Sequence, residues 1–229
     1  LAVLELFHGP TAAFKDFETY SSARGVTLEE IQSGRHSHEQ SIIWMDPPEH
    51  RRMRSLVNKV FTPRAIQAQE AVIREKIDHY LSRVDPTAFD VVADFSGLFP
   101  VEVIATMLGV PEADRQNIRI WLEESLHRPP GRATQSRAGA DAMMKTGALY
   151  YGIIQERRVE PRDDMITLLI KSEMLGKPTT DEIIIGILTS LISGGSDTST
   201  ALFANSMGWL DQHPEHKQML LDDPKMIPT

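Results

Sequence analysis

The stretch "TTDEIIIGILTSLISGGSDTSTALFANSMGWLDQ", residues 179–212, limits what this chain can fold into more than any other part of it. Its apolar residues recur at helical spacing, Thr179 or Thr180 is placed to cap the N-terminus, and Asp181 and Glu182 fall in the first turn, where the helix dipole favours acids. The pattern predicts the longest helix of the chain. Two glycines, Gly194 and Gly195, sit near its middle, at a cost of about 1 kcal/mol each relative to alanine. Two explanations stand side by side: a kink used for packing, or a place where a flat ligand approaches a backbone without Cβ atoms. Thr198 lies one helical turn after Gly194, so its hydroxyl can bond that carbonyl and open the helix locally. Asp197 beside it brings a carboxyl that can pass protons into such an opening.

The remainder is also mostly helical in pattern. "PRAIQAQEAVIREKIDHYLSRV" (63–84) reads as one amphipathic helix, and "LFPVEVIATMLG" (98–109) as a buried helix ended by Gly109. "TAFDVVADFS" (87–96) is β-branched enough to predict a brief extended stretch. Another helix opens with Pro111 at its first position, and a long one runs from about Thr134 to Arg158, where Met143, Met144, Tyr150 and Tyr151 read as core. "DDMITLLIKSEM" predicts a further helix, closed by a turn at "LGKP" (175–178). No internal repeat appears and no linker separates two compositions, so the expectation is a single mainly α domain over 1–229.

Composition removes several function classes. A net charge of −8 gives no electrostatic support for nucleic-acid binding by the chain as a whole. The absence of cysteine excludes disulfides, cysteine zinc sites and iron–sulfur clusters within this sequence. The most apolar run, "IIIGILTSLI" (183–192), is far shorter than the roughly 20 residues of a membrane helix, so no membrane span is expected. No secretory signal is visible, which points to a cytoplasmic protein, and the first residue is Leu1, which points to a piece of something longer.

A second segment carries chemistry. In "MDPPEHRRMRSLVNKVFTPR" (45–64), Asp46 is placed as an N-cap, Pro47 fits the first helical position and Glu49 can complete a capping box. His50 and Arg54 then project from one face, one turn apart, while Arg51 and Arg52 point elsewhere. A histidine and an arginine side by side on a pre-formed helix suit a pair of carboxylates; an exposed basic helix with a satisfied histidine is the plainer explanation. "HSH" (36–38) and "HPEH" (213–216) belong to no recognisable metal-ligand set and read as surface histidines. Trp44, Trp121 and Leu126 are apolar candidates for lining a substrate pocket.

Taken together and in order, "DPPEHRRMR" and the downstream "GGSDT" resemble the bacterial cytochrome P-450 family of haem-thiolate monooxygenases. "FETYSSARG", "FTPRAI", "TMLGVPEADR" and "WLDQHPEHKQML" are similar to that family's connecting segments, from about residue 12 to residue 228. The resemblance implies a partial cytochrome P-450 fold, B to J helices with little β, in which 47–60 is the C helix, 111–158 holds the F and G helices and 180–212 is the long I helix. It implies that His50 and Arg54 bind the propionates of a b-type haem. By the same resemblance Gly194 and Gly195 let the I helix pass over the haem, and Asp197 with Thr198 delivers protons as dioxygen is split. The implied reaction inserts one oxygen atom from O2 into a hydrophobic small molecule. Its electrons come from a ferredoxin-type donor, for which Arg51, Arg52, Lys59 and Arg64 offer a basic patch.

The family's axial cysteine is absent from this chain, which has none, and so is its Glu-x-x-Arg signature. The expectation is therefore an incomplete domain, inactive by itself, from a monooxygenase parent. Two alternatives stay open. One is a non-enzymatic helical fragment or interaction module. The other rests on "ELFHGPTAAFKD" (5–16), which resembles the lysine motif of threonine synthases and would make Lys15 a Schiff-base residue for pyridoxal phosphate, although no glycine-rich phosphate loop follows it.

Overall fold

The computed structural model describes residues 21–26, 30, 41–58, 61–132, 134–174 and 176–227. Among these the helices run α1 Glu49–Asn58, α2 Pro63–Ala68, α3 Glu70–Leu81, α4 Phe99–Leu108, α5 Glu112–Leu126, α6 Arg137–Val159, α7 Met165–Ile170, α8 Asp181–Gln212 and α9 Pro214–Asp222. Strand is confined, among the described residues, to an antiparallel hairpin of β1 Glu173–Met174 and β2 Lys177–Pro178. The mainly α expectation holds, but the helix expected over 163–174 ends at Ile170, and Glu173–Met174 pairs as strand with Lys177–Pro178, half of the expected turn.

Local chemistry accounts for most boundaries. Thr62 caps α2 by accepting from the Ala65 N–H at 3.2 Å, with Pro63 following it. Thr180, rather than Thr179, caps α8. Thr179 is instead buried, and its hydroxyl bonds Ser172. Ser136 caps α6 and Asp164 caps α7, the latter accepting from the Thr167 N–H at 2.8 Å. Gly109 ends α4 in the left-handed region at φ 93°, which glycine adopts without strain.

Four further expectations are corrected. The single helix over 63–84 divides at Gln69, whose N–H bonds back to the Ile66 carbonyl at 2.9 Å before α3 begins. Pro111 is the N-cap of α5, one position earlier than predicted, because its ψ of 140° is extended. The extended stretch expected within 87–96 is a π-helical turn at Val91–Ser96. The Asp90 carboxylate accepts from the Val92 and Ala93 N–H groups at 2.8 and 2.9 Å, while the Asp94 carboxylate accepts from the Asp90 N–H at 2.8 Å. That reciprocal cap outweighs the β preference of Val91 and Val92. Finally, of the four residues read as core on α6, Tyr150 is buried but Met143, Met144 and Tyr151 are exposed.

The core lies along the first half of α8. Ile183, Ile184, Ile187, Leu188, Leu191 and Ile192 join one buried cluster with Val101, Ile104 and Leu108 of α4, Ile153 and Ile154 of α6, Ile166 and Leu169 of α7, and Met53 and Val57 of α1. Burial of each such side chain contributes about 1.5–3 kcal/mol. Val91–Leu108 is apolar and long enough to cross a membrane by composition alone, but 56% of it is buried inside the fold, where α4 serves the core. Beyond Ala201 the same helix α8 is largely uncovered, with Leu202 and Trp209 more than half exposed.

Two buried charges brace the frame. Arg157 on α6 donates to the Asp164 carboxylate at 2.6 Å and to the Gly109 carbonyl at 3.0 Å, tying α6 to the ends of α4 and α7. Glu102, a charge inside the apolar α4, accepts from Gln116 at 2.7 Å, Tyr80 at 3.3 Å and Arg115 at 3.3 Å. Desolvation first, and the Glu102 carboxylate second, push the Tyr80 phenol up to about 12.

Candidate functional site

Met53, Leu56 and Val57 bury one stripe of α1 and so fix its rotation. His50 and Arg54 lie together at the half-buried edge of that stripe, one turn apart, while Arg51 and Arg52 are exposed. The capping box expected at the start of α1 is not formed. Asp46 opens the helix with its backbone carbonyl, which accepts from the His50 N–H at 3.0 Å. Its carboxylate turns away, to the Ser21 hydroxyl and to the Ser22 N–H at 3.0 Å. Glu49 pairs with Arg52 at 3.7 Å instead of reaching back to the chain before it. The entry to α1 is thus clamped to residues 21–23, which positions His50 and Arg54 from outside the helix.

The middle of α8 holds the other candidates. The helix runs unbroken from Asp181 to Gln212, so the glycine pair does not open it. Thr198 Oγ1 does donate to the Gly194 carbonyl, at 2.5 Å, as an addition to the helical ladder. Gly195 is buried against α4: a Cβ there would lie 3.1 Å from Ile104 Cγ1, so its lack of a side chain serves the α4–α8 contact. Gly194 is half-buried and carries the carbonyl that Thr198 engages.

Asp197 and Thr198 are adjacent but face different ways. Thr198 is exposed, whereas half-buried Asp197 lines a cavity of about 310 Å³ between α5, the π-helical turn and α8. Arg119 and Glu123 of α5 line it, as do Asp90, Ser196 and Thr200. Burial, with the Glu123 carboxylate second, raises the Asp197 carboxyl above the ordinary aspartate range. Arg119 is committed to Glu123 at 2.5 Å and to the Gln116 side-chain carbonyl at 3.0 Å. Thr200 donates to the Ser96 carbonyl at 2.8 Å, and the buried Ser96 hydroxyl has no hydrogen-bond partner among the described residues. The arrangement therefore combines a carboxyl raised above the ordinary aspartate range with a neighbouring hydroxyl on a different side of the same helix.

Other sequence candidates resolve differently. Trp44 donates its indole N–H to the buried Glu30 carboxylate at 2.8 Å, and Leu126 is half exposed. His213 and His216 stack in parallel with Trp209, His213 at 3.7 Å between ring centroids, and no group of three or more potential metal ligands occurs among the described residues. Lys15, Lys59 and the "HSH" histidines lie outside the described residues. Sequence reasoning missed Arg119 and Glu123: their spacing on α5 signals only an ordinary helical ion pair, and nothing local links them to Asp197. It also missed Glu102, although a lone acid within "FPVEVIATML" is a visible signal of a buried polar contact.

No family model matches the chain. Among curated proteins it is 33% identical to the putative cytochrome P450 123 of Mycobacterium tuberculosis over 223 residues, covering 96% of this chain and 56% of the relative. It is 34% identical to the putative cytochrome P450 YjiB of Bacillus subtilis over 194 residues, covering 82% of this chain and 49% of that protein. Among solved structures, a mutant of P450 EryK in complex with erythromycin B superposes with a TM-score of 0.81 at 30% identity, over 95% of this chain and 55% of that one. Ligand-free cytochrome P450 TbtJ1 gives 0.78 at 34% identity, over 97% and 57%. The chain spans about half the length of the relatives it matches. Over that span, it belongs to the cytochrome P450 family.

Proposed function

We propose that this chain forms the part of a haem-dependent monooxygenase that grips the haem carboxylates and delivers protons to its oxygen-binding side. When bound, the haem would supply the oxidising chemistry that places one atom of O2 into a hydrophobic small molecule. The residues present fit the carboxylates of that group: His50 and Arg54 are paired on one half-buried edge of a helix whose rotation is set by its core stripe. They offer no thiolate to the iron, since the sequence has no cysteine.

The observation that carries the proton-delivery reading is the step from Asp197 to Thr198. Asp197 faces a cavity it shares with Glu123, Ser196 and Thr200, and burial raises its carboxyl above the ordinary aspartate range, which suits passing protons from that side. Thr198 presents its oxygen on the exposed side of α8 while its own proton is given to the Gly194 carbonyl. A hydroxyl in that state has its acceptor lone pairs turned outward, suited to holding a water that donates onward. Arg51, Arg52 and Arg64 are exposed and give this region a local positive charge suited to an acidic ferredoxin-type electron donor.

The cysteine-free composition favours a second reading, a helical module that binds haem without oxidising anything. The two separate in a full-length haem protein in which this chain replaces the matching part of a relative. Nicotinamide oxidation, hydrogen peroxide and oxygenated product are measured together with an apolar substrate. Thr198→Ala should lower product per nicotinamide oxidised and raise peroxide, with the fold retained because alanine is favoured in a helix. An unchanged product ratio refutes the role of Thr198.

A further inference from the structure

Two carboxylates carried by different helices, Asp197 of α8 and Glu123 of α5, line one cavity. The Asp197 carboxylate makes no hydrogen bond among the described residues, and Ser196, 2% exposed, lines the same space. At about 310 Å³ the cavity has room for water, and Glu123, Ser196 and Thr200 give it polar partners among apolar neighbours. Three further charged groups face it. Asp90 spends its carboxylate on the N–H groups of Val92 and Ala93. Arg119 spends its guanidinium on Glu123 and Gln116. Glu123, paired with Arg119, is the other carboxylate facing the cavity and is 57% exposed, whereas Ser196 beside Asp197 is buried.

We propose that Glu123, although it touches none of the reacting groups, is a positioning residue for proton delivery: its carboxylate, bonded to Arg119 at the cavity that Asp197 also lines, opposes ionisation of Asp197. This rests on the reading of Asp197 as a proton donor. Two carboxylates that share a site resist being ionised together, and the one in the less solvated position retains the proton. Asp197 is the half-buried member and Glu123 the solvated, ion-paired one. Burial and Glu123 are also the causes that raise Asp197, in that order. Because Glu123 is carried by α5 and Asp197 by α8, the separation of these two helices sets how firmly the proton is held.

The test is a carbon-13 NMR titration of the side-chain carboxyls in the full chain, with the Asp197 signal assigned by its loss in Asp197→Asn. The wild-type midpoint should lie above the ordinary aspartate value of about 3.9. It should fall in Glu123→Gln, which keeps size and removes charge, and be restored in Glu123→Asp, which keeps the charge. A midpoint unchanged in Glu123→Gln overturns the proposal. So does an equal fall in both variants, which would make shape, not charge, the cause. This readout needs no haem and no turnover, so its failure is distinct from a failure of the monooxygenase reading, which shows in the product ratio of Thr198→Ala.

Discussion

Replacing Arg157 with methionine should cost this chain a large part of its stability. The guanidinium is 2% exposed and gives hydrogen bonds to Asp164 at 2.6 Å and to the Gly109 carbonyl at 3.0 Å. Methionine replaces the apolar stem well, so what disappears is the charge partner of a carboxylate that is itself only 9% exposed. Asp164 would keep the hydrogen bond from the Thr167 N–H at 2.8 Å but little else. Removing one member of a buried pair costs about 3–5 kcal/mol. For a chain of this length each 1 kcal/mol lowers Tm by about 2–4 °C, so the expected loss is about 6–20 °C. Urea unfolding followed by circular dichroism, together with calorimetry, measures both quantities. The double variant Arg157→Met/Asp164→Asn should recover at least about 1 kcal/mol relative to Arg157→Met, because it removes the stranded charge while an asparagine still caps α7. A single-variant cost below about 1 kcal/mol, the scale of an exposed ion pair, refutes the reasoning. A double variant as unstable as the sum of the two singles does the same.

Gly97→Ala should destabilise by about 1–3 kcal/mol, because a Cβ would sit 2.7 Å from the Val92 carbonyl oxygen that closes the π-helical turn; a higher urea midpoint would contradict this. Asp197→Asn should raise Tm at neutral pH and change it little below about pH 3.9. The sign follows from the raised Asp197 carboxyl: its contribution is fully present below the unfolded value and is lost as pH rises through the folded one. Equal shifts at both pH values would show that the fold does not raise the Asp197 carboxyl.

The parts of the fold governed by short-range rules were legible. Helix α8, with its cap and acidic first turn, and α4, ended by Gly109, follow directly from apolar periodicity and capping chemistry. So does the shared face of His50 and Arg54, since it depends only on the 3.6-residue period. What was not legible depends on partners distant in sequence. Asp46 meets every local rule for an N-cap, yet its carboxylate is claimed by the segment at 21–23. Gly195 looks identical to Gly194 in the sequence, and only the approach of Ile104 distinguishes the buried packing glycine from its neighbour. Val91 and Val92 suggest a strand until the Asp90 carboxylate is seen to cap Val92 and Ala93 and the Asp94 carboxylate to cap Asp90. The Asp197 cavity is the extreme case, assembled from α5, the π-helical turn and α8, whose proximity no local pattern encodes.

The central claim, that this chain carries the haem-carboxylate grip of a cytochrome P450, is tested most directly by titrating the full chain with haemin. Absorbance and protein fluorescence follow binding for the wild type, His50→Ala and Arg54→Ala. A hydrogen bond to a charged group contributes about 1.5–3 kcal/mol, so Arg54→Ala should weaken binding about tenfold or more, with His50→Ala in the same direction. Circular dichroism should be unchanged in both, since neither side chain belongs to the buried stripe of α1. Absence of saturable binding, or binding indifferent to both substitutions, would contradict the claim.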